Sequence, residues 1–241
     1  MTTSPEAYDA LVERFLGDFF EEYPQWAARL GLHEYDGRVS DLSADALDAR
    51  LDLFKRYILE LKQVDVAALD DERAMDHAQL VLAIEYEVFG LEDARQYRRN
   101  PMDYLWLLET STYTKRDYAP LPDRMSALIQ HFREVPRVLR QAEANLDRPL
   151  PEPFVSTALD LFGGLVSHYE TSLAEPLTSL RDERAGDLAD SLVEAMTEAS
   201  DAIARFVEHL AGIRDEGGTT AEFALGAEAF QEMLRTGEGL V

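Results

Sequence analysis

The stretch SPEAYDALVERFLGDFFEE, residues 4–22, decides the fold class. Its apolar side chains recur three and four residues apart, which places them on one face of an α-helix: Tyr8, Leu11, Val12, Phe15, Leu16, Phe19 and Phe20. Ser4 followed by Pro5 is typical of a helix start, because serine caps free backbone N–H groups and proline tolerates the first helical position. We therefore predict an amphipathic helix that ends near Glu22, before Tyr23-Pro24.

The same periodicity continues along the chain, interrupted by proline and glycine. Further helices are predicted from Ser43 to about Leu61, Asp70 to about Arg99, Leu121 to Arg133, Pro136 to Leu146, Phe154 to Leu173, Asp182 to Gly212 and Ala221 to Arg235, with a restart at Asn100-Pro101. In the helix from Asp70, Met75 and Tyr86 are placed on the inward face.

No window alternates as a strand does between hairpin turns. We predict an all-α fold, an irregular multi-helix bundle of about eight to nine helices. Residues 1–241 are expected to form a single helical domain, with a sub-boundary near residues 147–153, where PLPEP is the sharpest break.

Composition excludes several classes of protein. The 241 residues include 47 acidic and 23 basic side chains and no cysteine, with a formal net charge of −24. The missing cysteines exclude disulfides, thiolate metal sites and a cysteine nucleophile. The acidity disfavours nucleic acid and anionic membranes as partners, because both would be repelled. The longest aliphatic run, Leu80 to Ile84, is too short to cross a bilayer, and MTTSPEAYDA lacks the features of an export signal, so a cytoplasmic protein is expected.

The familiar catalytic motifs are absent from the sequence. No histidine follows a glutamate at the Glu-x-x-His spacing of helical di-iron sites, and neither a Gly-x-Ser-x-Gly elbow nor a phosphate-binding glycine loop occurs. His33-Glu34 is the one His-Glu pair, but no second histidine follows within a helical turn or two. We favour a turn or capping role for His33 over a metal role, and we assign no catalytic residue and no metal ligand.

Two clusters rise above this background. Arg95, Arg98 and Arg99 lie at the end of a predicted helix, where they either complement the helix dipole or clamp a carboxylate as bidentate guanidinium forks. The aromatic-rich run 97–118 is either core or one wall of a peptide-binding cleft. For the second alternative the candidate wall consists of Arg98, Arg99, Tyr113, Lys115, Arg116 and Tyr118.

Several segments in order resemble one family. They are YPQWAARLGLHEYDGRVSDLS (23–43), RRNPMDYL (98–105), REVPRVLRQAEANL (133–146), PLPEPFVSTALD (149–160) and FALGAEAFQEML (223–234). This order resembles the bacterial domain of unknown function 885 family over essentially the whole chain. The resemblance implies a helical, zinc metallopeptidase-like protein more than twice this long, acting on a peptide-like substrate. The family's zinc site, a His-Glu stretch followed by Pro-Gly-His, belongs to its C-terminal half and has no matching residues here.

Two functional hypotheses follow from these observations. In the first, the chain is the N-terminal helical region of a metal-dependent hydrolase; it supplies scaffold and one wall of a substrate cleft, holds no cofactor and is inactive alone. Its partner would be the missing C-terminal half or a second copy of itself. In the second, the chain is a stand-alone helical binding or regulatory module. A truncated half should expose more apolar surface than a free-standing module does.

Overall fold

Helices follow one another along almost the whole chain, which confirms the predicted all-α multi-helix bundle. The computed structural model describes residues 4–182 and 185–240. The α-helices are, in order, α1 (Pro5–Glu22), α2 (Pro24–Leu30), α3 (Ala44–Leu61), α4 (Asp71–Glu92), α5 (Gln96–Arg99), α6 (Ser111–Lys115), α7 (Leu121–Asn145), α8 (Glu152–Asp182), α9 (Gly186–Asp215) and α10 (Ala227–Glu238). Short 3-10 helices span His33–Tyr35, Val66–Ala68 and Pro101–Leu108.

Two short strands are present in the described part of the chain. Strand β1 (Leu150–Pro151) pairs in parallel with β2 (Thr219–Thr220), so that Leu150 lies opposite Thr219. The predicted break near residues 147–153 thus holds β1 and the start of α8. The start of the helix predicted from Asp182 includes residues 183 and 184, which lie outside the described residues, as do Met1–Thr3 and Val241.

The contacts divide the chain into two compact units. The first unit comprises residues 4–22, 43–96 and 224–240, and the second comprises residues 23–42 and 97–223. In the first unit α4 packs against α3 and α10. Aromatic rings join α1 to α3: Phe15 meets Tyr57 edge-on at 5.1 Å and lies 6.4 Å from Phe54. The Tyr57 hydroxyl donates to Asp18 at 2.6 Å, which satisfies its polar end inside the packed layer.

The second unit is built around α7, which packs against α9, while α8 covers α9 from another side. The apolar stripe of α7 is buried along its length. Two edge-to-face ring pairs hold this core, Phe132 with Tyr169 and Phe162 with Phe206, each with centroids 4.9 Å apart. Burial of such side chains, at roughly 1.5–3 kcal/mol each, is what holds these long helices together.

Several helix boundaries differ from the predictions, among them the start of the last helix, which lies at Ala227 rather than Ala221. Pro136 begins no new helix but lies inside α7, because the buried stripe of Phe132, Val135 and Leu139 continues across it and packing outweighs the hydrogen bond that proline cannot donate. Helix α8 also continues beyond its predicted end at Leu173, as far as Asp182. Helix α4 ends at Glu92 rather than near Arg99, and Arg95 there adopts a positive φ of 50°, which no helix accommodates.

Helix α4 also faces outward more than expected. Met75 and Tyr86 were predicted to point inward, but they are 68% and 47% exposed. That prediction was wrong because periodicity marks an apolar stripe without saying which part of it a neighbouring helix covers. No helix in the described ranges is long and apolar enough to cross a membrane.

Candidate functional site

The loop after α2 and the segment after α6 meet in the second unit. Proline at the start of α2 and a left-handed Gly31 at its end confine that helix to seven residues. The chain then forms the 3-10 turn His33–Tyr35, so His33 lies in a turn as predicted. At Gly37 the backbone has a φ of +78°, and its N–H donates to the Tyr113 hydroxyl at 2.9 Å.

One carboxylate organises the exposed part of this region. The Tyr118 hydroxyl donates to Asp36 Oδ2 at 2.7 Å, and His33 Nδ1 lies 3.3 Å from Asp36 Oδ1. The imidazole of His33 stacks on the Tyr118 ring with centroids 3.7 Å apart and planes inclined by 4°. The side chain of Asp36 is 14% exposed and that of His33 is 38% exposed, so the carboxylate is covered while the imidazole reaches solvent.

This arrangement has a defined chemistry. Burial raises the pKa of Tyr118, and the hydrogen bond to Asp36 and its negative charge raise it further. Tyr118 therefore stays a neutral donor at physiological pH. The Nδ1–H of His33 can donate a hydrogen bond to Asp36 Oδ1, which leaves Nε2 outside this contact. The site thus offers a flat, polar-edged stack rather than a nucleophile.

Arg124 holds the Tyr118 segment in place. Its guanidinium, 9% exposed, donates to the Tyr113 carbonyl at 2.8 Å, the Ala119 carbonyl at 3.0 Å and Asp117 Oδ1 at 2.8 Å. Three bonds from one planar group fix the chain on both sides of Tyr118 against α7. An arginine within the apolar stripe of a helix was the sequence signal that could have found it.

Two cations precede Tyr118 closely in the chain. Arg116 is exposed, and its Nη1 donates to the Arg29 carbonyl at 2.6 Å. Lys115 is also exposed. Burial acts to raise the pKa of Glu109, but hydrogen bonds from Ser111, together with the charge of Lys115, lower it overall. The Arg29 guanidinium lies 5.5 Å from the ring centre of Trp26, which is 42% exposed. We call Trp26, His33, Lys115, Arg116 and Tyr118 the aromatic–cationic face.

The structure places the other predicted wall residues elsewhere. Tyr113 is buried, and its phenol supports the loop from beneath through Gly37. Arg98 lies in the last turn of α5 with its Nη1 3.8 Å from Asp147, and Arg99 donates to the Phe223 carbonyl at 3.4 Å. Neither arginine contacts the loop that carries Asp36 in any hydrogen bond of the described residues, and the partner of Arg98 is itself anionic.

One buried histidine in this unit has no counterpart among the predictions. His131 on α7 is 1% exposed, and neither of its ring nitrogens has a hydrogen-bond partner in the described structure. Burial lowers its pKa to about 4, against the opposing influence of the Glu109 charge and the Leu107 backbone. His131 is therefore a neutral core residue at pH 7, beneath Tyr113, whose ring centre lies 5.6 Å away.

The described residues contain no group of three or more His, Asp or Glu side chains that could hold a metal ion. His33 and Asp36 supply two side chains, one fewer than a catalytic zinc takes from its protein. The aromatic–cationic face therefore lacks the ligands to hold a zinc ion.

A family model described as "Bacterial protein of unknown function (DUF885)" matches residues 24–240. The chain belongs to the DUF885 family. No curated protein matches the sequence. This DUF885 chain is similar in fold to a solved structure described as a "putative lipoprotein of unknown function" from Shewanella oneidensis, with a TM-score of 0.76 and 16% identity. The match covers 95% of this chain and 42% of that one, so this DUF885 chain spans about two fifths of its length.

Proposed function

We propose that this DUF885 chain forms scaffold and one wall of a cleft that binds a peptide-like ligand, and that the wall is the aromatic–cationic face. The observation that carries the proposal is the shared carboxylate of Asp36, which holds Tyr118 and His33 in a stack beside exposed Arg116. The face combines ring surface for apolar groups with guanidinium and ammonium donors for carboxylates.

Charge supports the acidic or C-terminal carboxylate end of a peptide as the group bound here. The chain carries a net charge of −24, so an anion is repelled from most of its surface. Lys115 and Arg116 are consecutive, and Arg116 donates to the Arg29 carbonyl, so these cations lie near one another, with the exposed carboxylate of Asp117 next in the chain. Arg116 uses Nη1 for a carbonyl, and its guanidinium has further N–H donors with which to bind a carboxylate.

Because the DUF885 resemblance implies a zinc metallopeptidase-like protein, we infer peptide-bond hydrolysis as the reaction of longer family members. Because the described residues hold no set of zinc ligands, we place the reaction outside this wall and assign the wall to binding and orienting the substrate. Large apolar side chains that are exposed in both units, Leu16, Met75, Leu161 and Phe223 among them, supply surface for contact with further protein.

The experiment is a binding titration with two fluorescein-labelled peptides. One is composed of Gly, Phe and Glu; the other has Gln in place of Glu and an amidated C-terminus. We expect the acidic peptide to bind more tightly, and Arg116→Ala to weaken it by about tenfold, since a charge-assisted hydrogen bond contributes about 1.5–3 kcal/mol. Arg140→Ala, at an exposed position of α7, is the matched control and should bind as the wild type does. Equal binding of the two peptides, or equal losses in both variants, would contradict the proposal.

The same assay tests whether this chain hydrolyses a peptide by itself. Mass spectrometry of the peptide after incubation, with and without zinc chloride, reports any cleavage. Binding by the chain without cleavage in either condition favours a wall that needs a catalytic partner or a stand-alone binding module. Cleavage that depends on zinc would instead show that this chain is a complete hydrolase, and the wall-only assignment would be wrong.

A further inference from the structure

A groove runs between α4 and α10 in the first unit. Its volume is ≈ 590 Å³, and it is open to solvent at one side of α10. The lining residues that matter here are Leu82, Tyr86 and Glu87 from α4 and Met233, Gly237 and Glu238 from α10. A second depression of ≈ 560 Å³ borders α10 on its other side and shares Leu234 with the first. The volume is of the size that accepts several side chains of a peptide.

Gly237 is what brings α10 close to the ring of Tyr86. A Cβ at that position would lie 3.0 Å from Tyr86 Cε2 and 3.2 Å from Cδ2, closer than an ordinary carbon contact. Glycine inside a helix costs about 1 kcal/mol relative to alanine, so close packing is the physical reason for its use. The result is a groove whose wall is an aromatic ring that stays 47% exposed.

The helix that forms the groove is anchored by its own ion pairs. Arg235 donates to Glu85 of α4 at 2.8 Å and to Glu232 at 2.9 and 2.5 Å. Lys62 adds a longer contact of 3.7 Å to Glu85. The Arg235–Glu85 pair fixes α10 on α4. The Glu232 bond lies within α10, the Lys62 contact joins the end of α3 to α4, and none of these pairs uses a groove side chain. Among the described residues that line the groove, the charged ones are Glu87 and Glu238, and none is a lysine or an arginine.

The charge of the first unit indicates which kind of partner the α4–α10 groove can bind. The sequence of this unit contains 22 Asp and Glu residues but only 8 Lys and Arg residues. A second copy of this chain would bring an equally acidic surface into the groove, and the repulsion would oppose association. A cationic segment would be attracted, and an arginine or lysine side chain suits a tyrosine ring flanked by carboxylates, since its stem packs on apolar surface while its charge meets the anions.

We propose that the α4–α10 groove binds a Lys/Arg-bearing amphipathic segment of a partner protein. Its apolar side chains pack against Leu82 and Met233, and one cationic head lies at the Tyr86 ring between Glu87 and Glu238. The site is in the first unit, and it is independent of the aromatic–cationic face, which would take a ligand of the opposite charge. It adds a second binding surface with its own partner class.

The test is fluorescence anisotropy with a labelled 14-residue helix of Leu, Ala and Arg, against the same helix with Glu in place of Arg. The proposal predicts saturable binding of the Arg helix only. Tyr86→Leu keeps apolar bulk but removes the ring, and we expect it to weaken binding by about tenfold. The double variant Glu87→Gln/Glu238→Gln should weaken binding to a similar degree. Gly237→Leu should block the groove sterically, since even a Cβ meets Tyr86 there.

Controls separate the groove from general attraction to an acidic protein. Glu194→Gln/Glu198→Gln removes the same charge from exposed positions of α9 in the second unit and should leave the affinity unchanged. Circular dichroism verifies that each variant is folded. The proposal is overturned if both double variants lose affinity equally, if the Glu helix binds as well as the Arg helix, or if Gly237→Leu and Tyr86→Leu bind as the wild type does. Concentration-dependent dimerisation that Gly237→Leu abolishes would also overturn it, in favour of a second copy.

Discussion

The imidazole of His33 lies flat on the phenol ring of Tyr118, 3.7 Å away between centroids, although 84 positions separate the two residues along the chain. Asp36 accounts for this geometry because its two carboxylate oxygens contact one ring each. The stack, the buried guanidinium of Arg124 and the Gly37–Tyr113 bond form one supported surface in the second unit. Such support is what a binding face requires in order to keep its side chains oriented before a ligand arrives.

Replacement of Asp36 by asparagine should loosen the stack. The amide still accepts a hydrogen bond but carries no charge, so the pKa of Tyr118 should fall towards that of a free phenol. We also expect the free energy of unfolding to drop by about 1–2 kcal/mol, since a bond to a charged acceptor is replaced by a neutral one. Ultraviolet titration of phenolate and urea unfolding measure these effects. Tyr118→Phe serves as the control, and an identical phenolate titration in wild type and Asp36→Asn would refute the account.

Gly37 should be intolerant of a side chain. Its φ is +78°, and a Cβ there would lie 2.8 Å from both the Ala127 carbonyl oxygen and Gln130 Cβ. Gly217 has nearly the same φ, +75°, with nothing within 4 Å. Gly217→Ala should therefore cost about 1–2 kcal/mol of backbone strain alone, and Gly37→Ala should cost clearly more in urea unfolding. Equal costs would show that the loop yields freely at Gly37.

Stability should depend on pH through His131. Its pKa is about 4 in the folded chain and about 6.5 in an unfolded one, so between these values the unfolded state binds the additional proton. The folded state therefore loses on the order of 3 kcal/mol as the pH falls from about 6.5 to about 4. His131→Met should remove this loss, and His168→Met, at an exposed position, should retain it. Measurement of the free energy of unfolding at several pH values tests this prediction. The same pH dependence in the wild type and in both variants would contradict the role of His131.

Asp103 should act in the opposite direction. Burial raises its pKa to about 6, against a hydrogen bond from Asn100, so between about pH 4 and 6 the folded state holds a proton that the unfolded state has released. Its contribution to stability is therefore greatest at low pH and is lost as the pH rises through 6. Asp103→Asn should stabilise the chain at pH 7 by about 1–3 kcal/mol, because no buried charge remains. Denaturant midpoints at pH 4 and pH 7 test this, and a variant less stable than the wild type at pH 7 would disprove it.

Prediction from the sequence succeeded where the information was local. The helical stripe of residues 4–22 and the turn at His33 depend on neighbours within a few positions, and both were confirmed. It failed at Pro136, where buried contacts outweigh the local helix-breaking tendency of proline, and at Tyr86, where exposure depends on how α10 lies on α4. The candidate wall stays a prediction: Tyr118 donates to Asp36 and Arg116 to the Arg29 carbonyl, while Arg98 has an anionic neighbour elsewhere.

The all-α class, the acidity and the DUF885 resemblance could be read from the residues, because periodicity, composition and segment order are properties of the chain alone. The folded chain was needed to show that Asp36 meets Tyr118, that Arg124 supports their segment and that Gly237 brings α10 against Tyr86. The physical reason is that such contacts join residues many helical turns apart. Their distances depend on how helices pack, and no local pattern of residues encodes that packing.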